Sequence, residues 1–189
     1  MPSRTVFFDR DGVINKKAPP HQYICSWEEF EFLPRVAEAI TDLNRRGFLV
    51  VIISNQRGVA RGMLSVEKLD EIHARMLKEL HDQGAVIDGI YYCPHNYEDN
   101  CDCRKPKPGM LLEAAKDLDI DLSESFMVGD SEDDIAAGKA AGCKTVLVRP
   151  TSEVGDHSSP RRWTTSETEG WVAKPDRAIP NLGELATCL

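Results

Sequence analysis

Short apolar runs alternate with longer amphipathic stretches along most of the chain. The apolar runs predict strands at residues 5–8, 48–54, 88–93, 125–129 and 143–148. The run FLVVIIS at 48–54 is almost uninterrupted, which is typical of a strand buried on both faces of a parallel sheet. The pattern predicts an α/β fold in which helices cover both faces of that sheet.

Four amphipathic stretches predict the helices. The stretch that begins at Ser65 has a suitable N-cap and repeats an apolar residue every three or four positions, as one face of a helix requires. The residues on that face are Leu69, Ile72, Met76 and Leu80. The other three predicted helices begin at Pro34, Gly109 and Asp130, and the last is rich in small residues that allow close packing on the sheet.

The length and the apolar content favour a single domain over residues 1–189. With 41% apolar residues, 189 residues can bury one core of ordinary size. Residues 151–170 lack a sustained apolar period and are rich in Ser, Thr and Glu, which predicts an exposed loop. The apolar positions of GWVA at 170–173 and NLGELATCL at 181–189 are predicted to close the fold.

Charge and hydropathy narrow the functional classes. A net charge of −8 disfavours nucleic acid as a partner, because phosphate backbones are bound by clustered Lys and Arg. No apolar run reaches the roughly 20 residues of a membrane helix, and the start MPSRT lacks the apolar segment of a secretory signal. These features predict a cytoplasmic protein that binds neither nucleic acid nor membrane.

Aspartates follow two of the predicted strands. Asp9, Asp11 and Gly12 come directly after the first strand, and Asp130 follows the fourth, with Asp134 one helical turn further. Ligands bind at the carboxyl ends of strands in open α/β sheets, so the pattern predicts a shared acidic site. Carboxylates gathered at one point need a cation, and Mg²⁺ prefers oxygen ligands and phosphate. A solvated Asx turn is the alternative for the first two aspartates.

Polar and basic residues at two further places suit phosphate oxygens. Ser54 offers a hydroxyl and Asn55 an amide after the second strand. Arg104 and Lys105 precede Pro106, which disfavours a helix there, so Lys105 could neutralise a phosphoryl group and Arg104 a second anionic group. The turn after Asn55 adds three candidate substrate-binding residues: Gln56, Arg57 and Arg61. For the residues after the second strand, the alternative is an ordinary helix-capping loop. For Arg104 and Lys105, the alternative is a solvated basic patch.

The segment CPHNYEDNCDC at 93–103 has the composition of a zinc loop. Cys93, His95, Cys101 and Cys103 supply three thiolates and one imidazole, a set suited to tetrahedral Zn²⁺. Four protein ligands leave no open coordination position, so the predicted zinc is structural. Unligated buried thiols are the alternative. The remaining cysteines are interpreted as small apolar fillers or surface thiols: Cys25, Cys143 and Cys188.

The ordered motifs resemble those of the haloacid dehalogenase-like phosphatases. The motifs are Asp9-Arg-Asp11-Gly, Ser54-Asn55, Lys105-Pro and Gly129-Asp130 with Asp134, spread over residues 5 to about 150. The resemblance implies a three-layer Rossmann-like fold with a minimal cap. It also implies Mg²⁺-dependent hydrolysis of a phosphomonoester through an aspartyl-phosphate.

The resemblance assigns roles to individual residues. It implies that Asp9 is the nucleophile and that Asp11 protonates the leaving group and then activates water. Mg²⁺ would be held by Asp9, the backbone carbonyl of Asp11 and Asp130, with Asp134 supporting from outside the ligand set. Ser54 and Lys105 would complete the electrostatic cradle of the phosphoryl group.

A zinc loop before Arg-Lys-Pro, without a large cap insertion, resembles the heptose 1,7-bisphosphate phosphatases, and histidinol-phosphate phosphatases share this loop. The resemblance implies a monomer that removes the 7-phosphate of D-glycero-D-manno-heptose 1,7-bisphosphate. Two departures concern the substrate: KKAPPHQY at 16–23 stands where Asp-His-Gly-Tyr is typical, and Ser131 stands where lysine often follows the metal-binding aspartate. The alternatives are another small sugar-phosphate or histidinol-phosphate phosphatase, a phosphotransferase, a nucleic-acid end phosphatase, and an inactive zinc-stabilised binding protein.

Overall fold

A single parallel sheet organises the chain. The computed structural model describes residues 2–149 and 168–189. Six parallel strands in these ranges pair in the order β3-β2-β1-β4-β5-β6. They are β1 (Thr5–Phe8), β2 (Leu49–Asn55), β3 (Gly89–Cys93), β4 (Phe126–Gly129), β5 (Lys144–Val148) and β6 (Arg177–Ile179). The predicted parallel α/β architecture is confirmed.

Four helices connect successive strands from β1 to β5, and a short fifth helix follows β6. They are α1 (Val36–Arg45), α2 (Val66–Asp82), α3 (Gly109–Asp117), α4 (Glu132–Ala141) and the short α5 (Leu185–Cys188). Ser65 caps α2 as predicted, since its side chain accepts a hydrogen bond from the amide of Lys68. Among the described residues, none of the helices combines the length and the apolar character that a membrane crossing requires.

The sheet separates two apolar cores. Val6 and Phe8 of β1 face the core beneath α1 and α2, whereas Phe7 faces the core beneath α3 and α4. In β2, Val50 and Ile52 alternate with Val51 and Ile53 in the same way. Because successive side chains of a strand point to opposite faces, a continuous apolar run is what a sheet covered on both faces requires.

The carboxyl-terminal region differs from the prediction in two respects. A sixth strand, β6, pairs with β5 and was not predicted, because its three residues are too few to show a period. Leu182 and Leu185 close the core, but Val172 of GWVA is 97% exposed and does not. The predicted loop at 151–170 lies outside the described residues except for its last three positions.

Candidate active site

An acidic cleft lies at the carboxyl edge of the sheet. Asp9 follows β1 and Asp130 follows β4, and these strands pair directly, which brings the two aspartates to one point. The cleft has a volume of about 180 Å³. Its lining consists of Asp9, Asp11, Lys17, Asn55, Lys105, Ser131, Asp133 and Asp134. The structure therefore brings the predicted residues Asp9 and Asp130 together at the ends of β1 and β4.

The buried ammonium group of Lys105 joins two of the carboxylates. Its Nζ lies 2.9 Å from Asp9 Oδ1 and 2.6 Å from Asp134 Oδ1, and it donates a 3.0 Å hydrogen bond to the carbonyl of Ile53. Only 2% of the Lys105 side chain is exposed. Burial disfavours the charge, but Asp134 and Asp9 outweigh that effect and raise the pKa of Lys105 above its ordinary value. Lys105 is therefore a permanent cation.

Asp9 carries an unfavourable charge in the absence of a metal. Burial and the neighbouring Asp134 carboxylate raise the pKa of Asp9 to about 7, although Lys105 opposes them. A divalent cation bound to this carboxylate would favour its ionised form. The acidic cleft thus has the electrostatics of a cation site.

Two glycines make room for the acidic cluster. A Cβ on Gly12, whose φ is +97°, would lie 2.0 Å from Oδ2 of Asp130. A Cβ on Gly129 would lie 2.1 Å from Cβ of Asp134. No side chain fits at either position, so these glycines allow the two aspartates to approach the sheet edge.

The donor set fits Mg²⁺. Carboxylate oxygens of Asp9, Asp130 and Asp134 lie within 4.8 Å of one another. Oδ1 of Asp130 is buried and lacks a hydrogen-bond partner among the described residues. A buried carboxylate oxygen without a partner is costly, and hard oxygen ligands are those that Mg²⁺ selects. The participation of the Asp11 backbone carbonyl stays a prediction.

Asp134 also orders the start of α4. Its Oδ2 accepts hydrogen bonds from the backbone amides of Asp130 and Ser131, and from the Ser131 hydroxyl at 2.6 Å. The residue is fully buried. It fixes the direction of the Asp130 backbone, in keeping with the supporting position predicted for it.

Asp11 is held as a carboxylate by Arg10. The Arg10 Nη2 donates to both oxygens of Asp11 at 3.0 Å, and the amides of Asn15 and Gln56 donate at 2.9 Å. Burial alone would raise the pKa of Asp11, but Arg10 and these hydrogen bonds outweigh it and hold the pKa below its ordinary value. Asp11 is therefore ionised in the substrate-free cleft.

A histidine of α2 supports Arg10 from behind. His73 is 6% exposed, and its Nε2 lies 3.2 Å from Nη1 of Arg10. A guanidinium group only donates, so the neutral imidazole accepts through Nε2. Burial and the Arg10 charge lower the pKa of His73 to about 4. The Arg10–His73 pair orients Asp11 from the core side of the sheet.

The predicted phosphate donors after β2 form hydrogen bonds within the site. The hydroxyl of Ser54 is fully buried and accepts a 2.8 Å hydrogen bond from Gln56, whose amide also donates to Asp11. Asn55 donates to the carbonyl of Lys105 and accepts from its amide, both at 3.1 Å. Ser54 and Gln56 therefore lie beneath the cleft, whereas Asn55 lines it and holds Lys105 in place.

The four predicted zinc ligands converge. Their ligand atoms are separated by 3.6 Å (Cys93 to His95), 3.5 Å (Cys93 to Cys101), 3.2 Å (His95 to Cys103) and 3.4 Å (Cys101 to Cys103). A tetrahedron with metal–ligand bonds of about 2.0–2.3 Å has edges of roughly 3.5–3.8 Å. Burial and the neighbouring Cys93 and Cys101 thiols raise the pKa of Cys103, so a cation is needed to ionise all three thiols. The cluster has the geometry of a zinc site.

Tyr97, in the loop formed by residues 93–103, contacts two arginines from neighbouring segments. The Cζ atoms of Arg57 and Arg104 each lie 4.2 Å from the ring centroid of Tyr97. Arg57 also donates to Asn96, and Arg104 donates to the carbonyl of His95 at 3.4 Å. Both guanidinium groups thus rest on one aromatic ring of this loop.

Arg61 lies apart from the other predicted substrate-binding residues. Its side chain is exposed, and its Nη1 lies 3.4 Å from the hydroxyl of Tyr23. It is absent from the lining of the cleft. The structure therefore does not bring Arg61 into contact with the acidic cluster.

Sequence reasoning missed four residues that shape the site. They contact residues of other helices, strands or loops, and the spacing of residues in the sequence does not indicate such contacts. The sequence did offer an indication for two of them. Arg10 is a charged residue between the two aspartates, and Lys17 lies in the segment that departs from the resembled family. The four residues are Arg10, Lys17, His73 and Tyr97.

Fold and site together define a class of protein. The class has a parallel α/β sheet with a cleft at its carboxyl edge, where a buried lysine and clustered carboxylates suit a cation and a phosphoryl group. A sequence model of the haloacid dehalogenase-like hydrolases matches residues 13–142, and one described as HAD-hydrolase-like matches residues 102–185. The chain therefore belongs to the haloacid dehalogenase-like hydrolase family, as its motifs predicted.

Several relatives carry a more specific name. The D-glycero-beta-D-manno-heptose-1,7-bisphosphate 7-phosphatase of Pasteurella multocida is 44% identical over 162 residues, which cover 80% of this chain and 86% of the relative. The Vibrio cholerae protein of the same name is 44% identical, with 82% and 88% covered. The structure of D,D-heptose 1,7-bisphosphate phosphatase from B. bronchiseptica, complexed with magnesium and phosphate, has a TM-score of 0.82, 33% identity, and coverage of 98% and 97%.

The low pKa of His73 predicts a specific pH dependence of stability. The folded protein keeps His73 neutral to about pH 4, whereas the unfolded chain takes up the proton near pH 6.5, so stability falls as the pH drops between these values. Between pH 7 and pH 5 this residue should lower the free energy of unfolding by about 2 kcal/mol. In urea unfolding, the free energy of unfolding of His73→Gln should therefore fall by about 2 kcal/mol less than that of the original protein over the same interval.

His81 offers the matched control, because it lies on the exposed side of the same helix. His81→Gln removes a histidine from the same helix without touching Arg10, so His73→Gln is compared with it as well as with the original protein. If His73→Gln kept the pH dependence of the original protein in full, His73 would not be the buried neutral acceptor of Arg10.

Proposed function

We propose that the protein is a Mg²⁺-dependent phosphatase that removes the 7-phosphate of D-glycero-D-manno-heptose 1,7-bisphosphate. The observation that carries the proposal is the pairing of Asp9 with the permanent cation Lys105 at the end of β1. This pairing presents a carboxylate nucleophile in a cleft that attracts a phosphoryl group.

The reaction proceeds in two displacements at phosphorus. In the first, a carboxylate oxygen of Asp9 forms a bond to phosphorus while the bond from phosphorus to the ester oxygen breaks, and Asp11 gives its proton to the leaving alkoxide. In the second, water attacks the aspartyl-phosphate, Asp11 takes the proton of that water, and the carboxylate of Asp9 leaves. The products are the alcohol and inorganic phosphate.

Asp11 needs a proton before the first displacement. Arg10 keeps Asp11 ionised in the substrate-free cleft. A bound phosphoryl dianion next to Asp11 raises the pKa of the carboxyl group by like-charge repulsion, which favours uptake of the proton. After the first step the leaving alcohol has taken that proton, and Asp11 is again the carboxylate that activates water.

Asp9 and Asp130 are the side chains proposed to hold Mg²⁺, with the backbone carbonyl of Asp11. Asp134 keeps the Asp130 backbone in place through its hydrogen bonds to the amides. The ion, when bound, supplies positive charge that offsets the repulsion between the Asp9 carboxylate and the phosphate. Lys105 keeps its own charge on the other side of Asp9.

A second anion site distinguishes a bisphosphate from a simple phosphomonoester. Arg57 and Arg104 both rest on Tyr97, and the charge of Arg104 acts on Asp133, which lines the cleft. A guanidinium group suits bidentate recognition of a phosphate. We assign these two arginines to the phosphate that remains on the product. The names of the Pasteurella multocida and Vibrio cholerae relatives support a heptose bisphosphate in its beta form.

The test is phosphate release from a substrate panel in the presence of Mg²⁺. The panel contains both anomers of heptose 1,7-bisphosphate, histidinol phosphate and common sugar monophosphates. The proposal predicts that kcat/KM for one heptose bisphosphate anomer exceeds kcat/KM for the monophosphates by about 100-fold. This ratio corresponds roughly to the binding free energy of two charge-assisted hydrogen bonds. Comparable activity on every ester would contradict the substrate.

Asp9→Asn supplies the mechanistic control for that panel. It should reduce turnover by roughly three orders of magnitude or more, because the amide is not a nucleophile. Its Tm should be unchanged or higher, since a buried charge is removed while Asp134 still pairs with Lys105. Glu113→Gln on the exposed face of α3 should leave both properties unchanged. Full activity of Asp9→Asn would eliminate the mechanism.

We also propose that the Cys93, His95, Cys101, Cys103 cluster holds structural Zn²⁺. The protein should contain about one zinc per chain, and Cys101→Ser should lose it with a lower Tm. Because Tyr97 lies in this loop, the loss should raise KM for the bisphosphate about tenfold and change the kinetics of a monophosphate less. Cys25→Ser, outside the loop, should retain the metal. An unchanged Tm and KM after zinc loss would contradict the structural role.

A further inference from the structure

The cleft contains a second lysine that the proposed reaction does not use. Lys17 lines the cleft, and its Nζ lies 2.6 Å from Oδ2 of Asp130. Half of the Lys17 side chain is exposed, at 51%, whereas that of Asp130 is 13% exposed. Lys17 therefore reaches from the cleft mouth to a carboxylate of the cation site.

The other lysine of the cleft has no donor to spare. The ammonium group of Lys105 is engaged by Asp9, Asp134 and the carbonyl of Ile53, which accounts for its three N–H groups. Asn55 is paired with the backbone of Lys105. Among the described residues that line the cleft, Lys17 is thus the cation with donors left for a phosphate oxygen.

Ser131 does not supply this contact either. Its hydroxyl donates to Oδ2 of Asp134 at 2.6 Å, at the start of α4. The side chain of Ser131 is therefore not free to bind a phosphate oxygen near Asp130. Lys17 arrives from the segment after β1 and lies directly over Gly12, where a Cβ would be 2.7 Å from its Cε.

Charge balance indicates when Lys17 would change partner. Asp9, Asp130 and Asp134 face two ammonium groups, those of Lys17 and Lys105. A divalent cation on Asp130 takes over the neutralisation that Lys17 provides, and two cations on one carboxylate repel each other. The long aliphatic stem of lysine allows its head group to move to a neighbouring acceptor.

We propose that Lys17 is a substrate-binding residue that exchanges partners: it pairs with Asp130 in the metal-free cleft and contacts the transferring phosphoryl group once Mg²⁺ occupies Asp130. The inference rests on the proposed magnesium site. It gives Lys17 two effects of opposite sign, because its ammonium group competes with the metal for Asp130 and attracts the phosphate.

Calorimetry on the protein as purified separates these effects. Mg²⁺ is titrated without substrate, and inorganic phosphate is then titrated at saturating Mg²⁺. Lys17→Met should bind Mg²⁺ about three- to tenfold more tightly, because a competing charge is removed. The same variant should bind phosphate about tenfold more weakly, because a charge-assisted contact is lost.

Lys16→Met is the matched control. The Lys16 side chain pairs with Glu31 and is absent from the cleft lining, so the variant should change neither affinity by more than about twofold. Weaker or unchanged Mg²⁺ binding by Lys17→Met would overturn the competition with the metal. Unchanged phosphate affinity would overturn the contact with the phosphoryl group.

Asp130→Asn distinguishes failure of this inference from failure of the proposed function. If Asp130→Asn loses Mg²⁺ binding while Lys17→Met behaves like the original protein, only the role of Lys17 is wrong. If Asp130→Asn binds Mg²⁺ as well as the original protein, the magnesium site is wrong and the role of Lys17 falls with it.

Discussion

The ammonium group of Lys105 is the constraint on which the rest of the site depends. It joins Asp9 after β1, the Ile53 carbonyl in β2 and Asp134 in α4, so one buried charge fixes three elements relative to one another. Without it, two buried carboxylates would face each other and one would take up a proton. The same contacts leave Lys105 without a free N–H group. The more exposed Lys17 is therefore the lysine of the cleft that can donate to a phosphate oxygen.

The sheet and the acidic cluster could be predicted because both follow from local patterns. Continuous apolar runs identify strands covered on both faces, and a polar residue at the end of such a run must lie at the sheet edge. Asp9 and Asp130 therefore met where they were expected. The cysteines and histidine of 93–103 converged for a similar reason, since eleven residues hold all four ligands and little chain separates them.

The remaining features depend on contacts between distant segments, which periodicity does not record. Arg10 meets His73 across 63 positions of sequence, and β6 exists only because β5 offers a parallel edge to pair with. Ser54 and Gln56 are buried next to Asp11 and are hydrogen-bonded to each other, a contact that no sequence pattern indicates. Tyr97 contacts two arginines that lie outside its own loop, and this contact exists only in the folded chain. Each of these features is therefore determined by contacts between segments that are distant in sequence.

The central claim is that Asp9 forms a covalent bond to phosphorus. The most direct measurement is rapid acid quenching of the enzyme during turnover, followed by borohydride reduction and peptide mass spectrometry. Reduction of an aspartyl-phosphate converts that aspartate to homoserine. The account predicts this conversion at Asp9 and at no other aspartate, only when substrate and Mg²⁺ are both present. Homoserine at another position, or rapid phosphate release with no protein-bound phosphate, would contradict it.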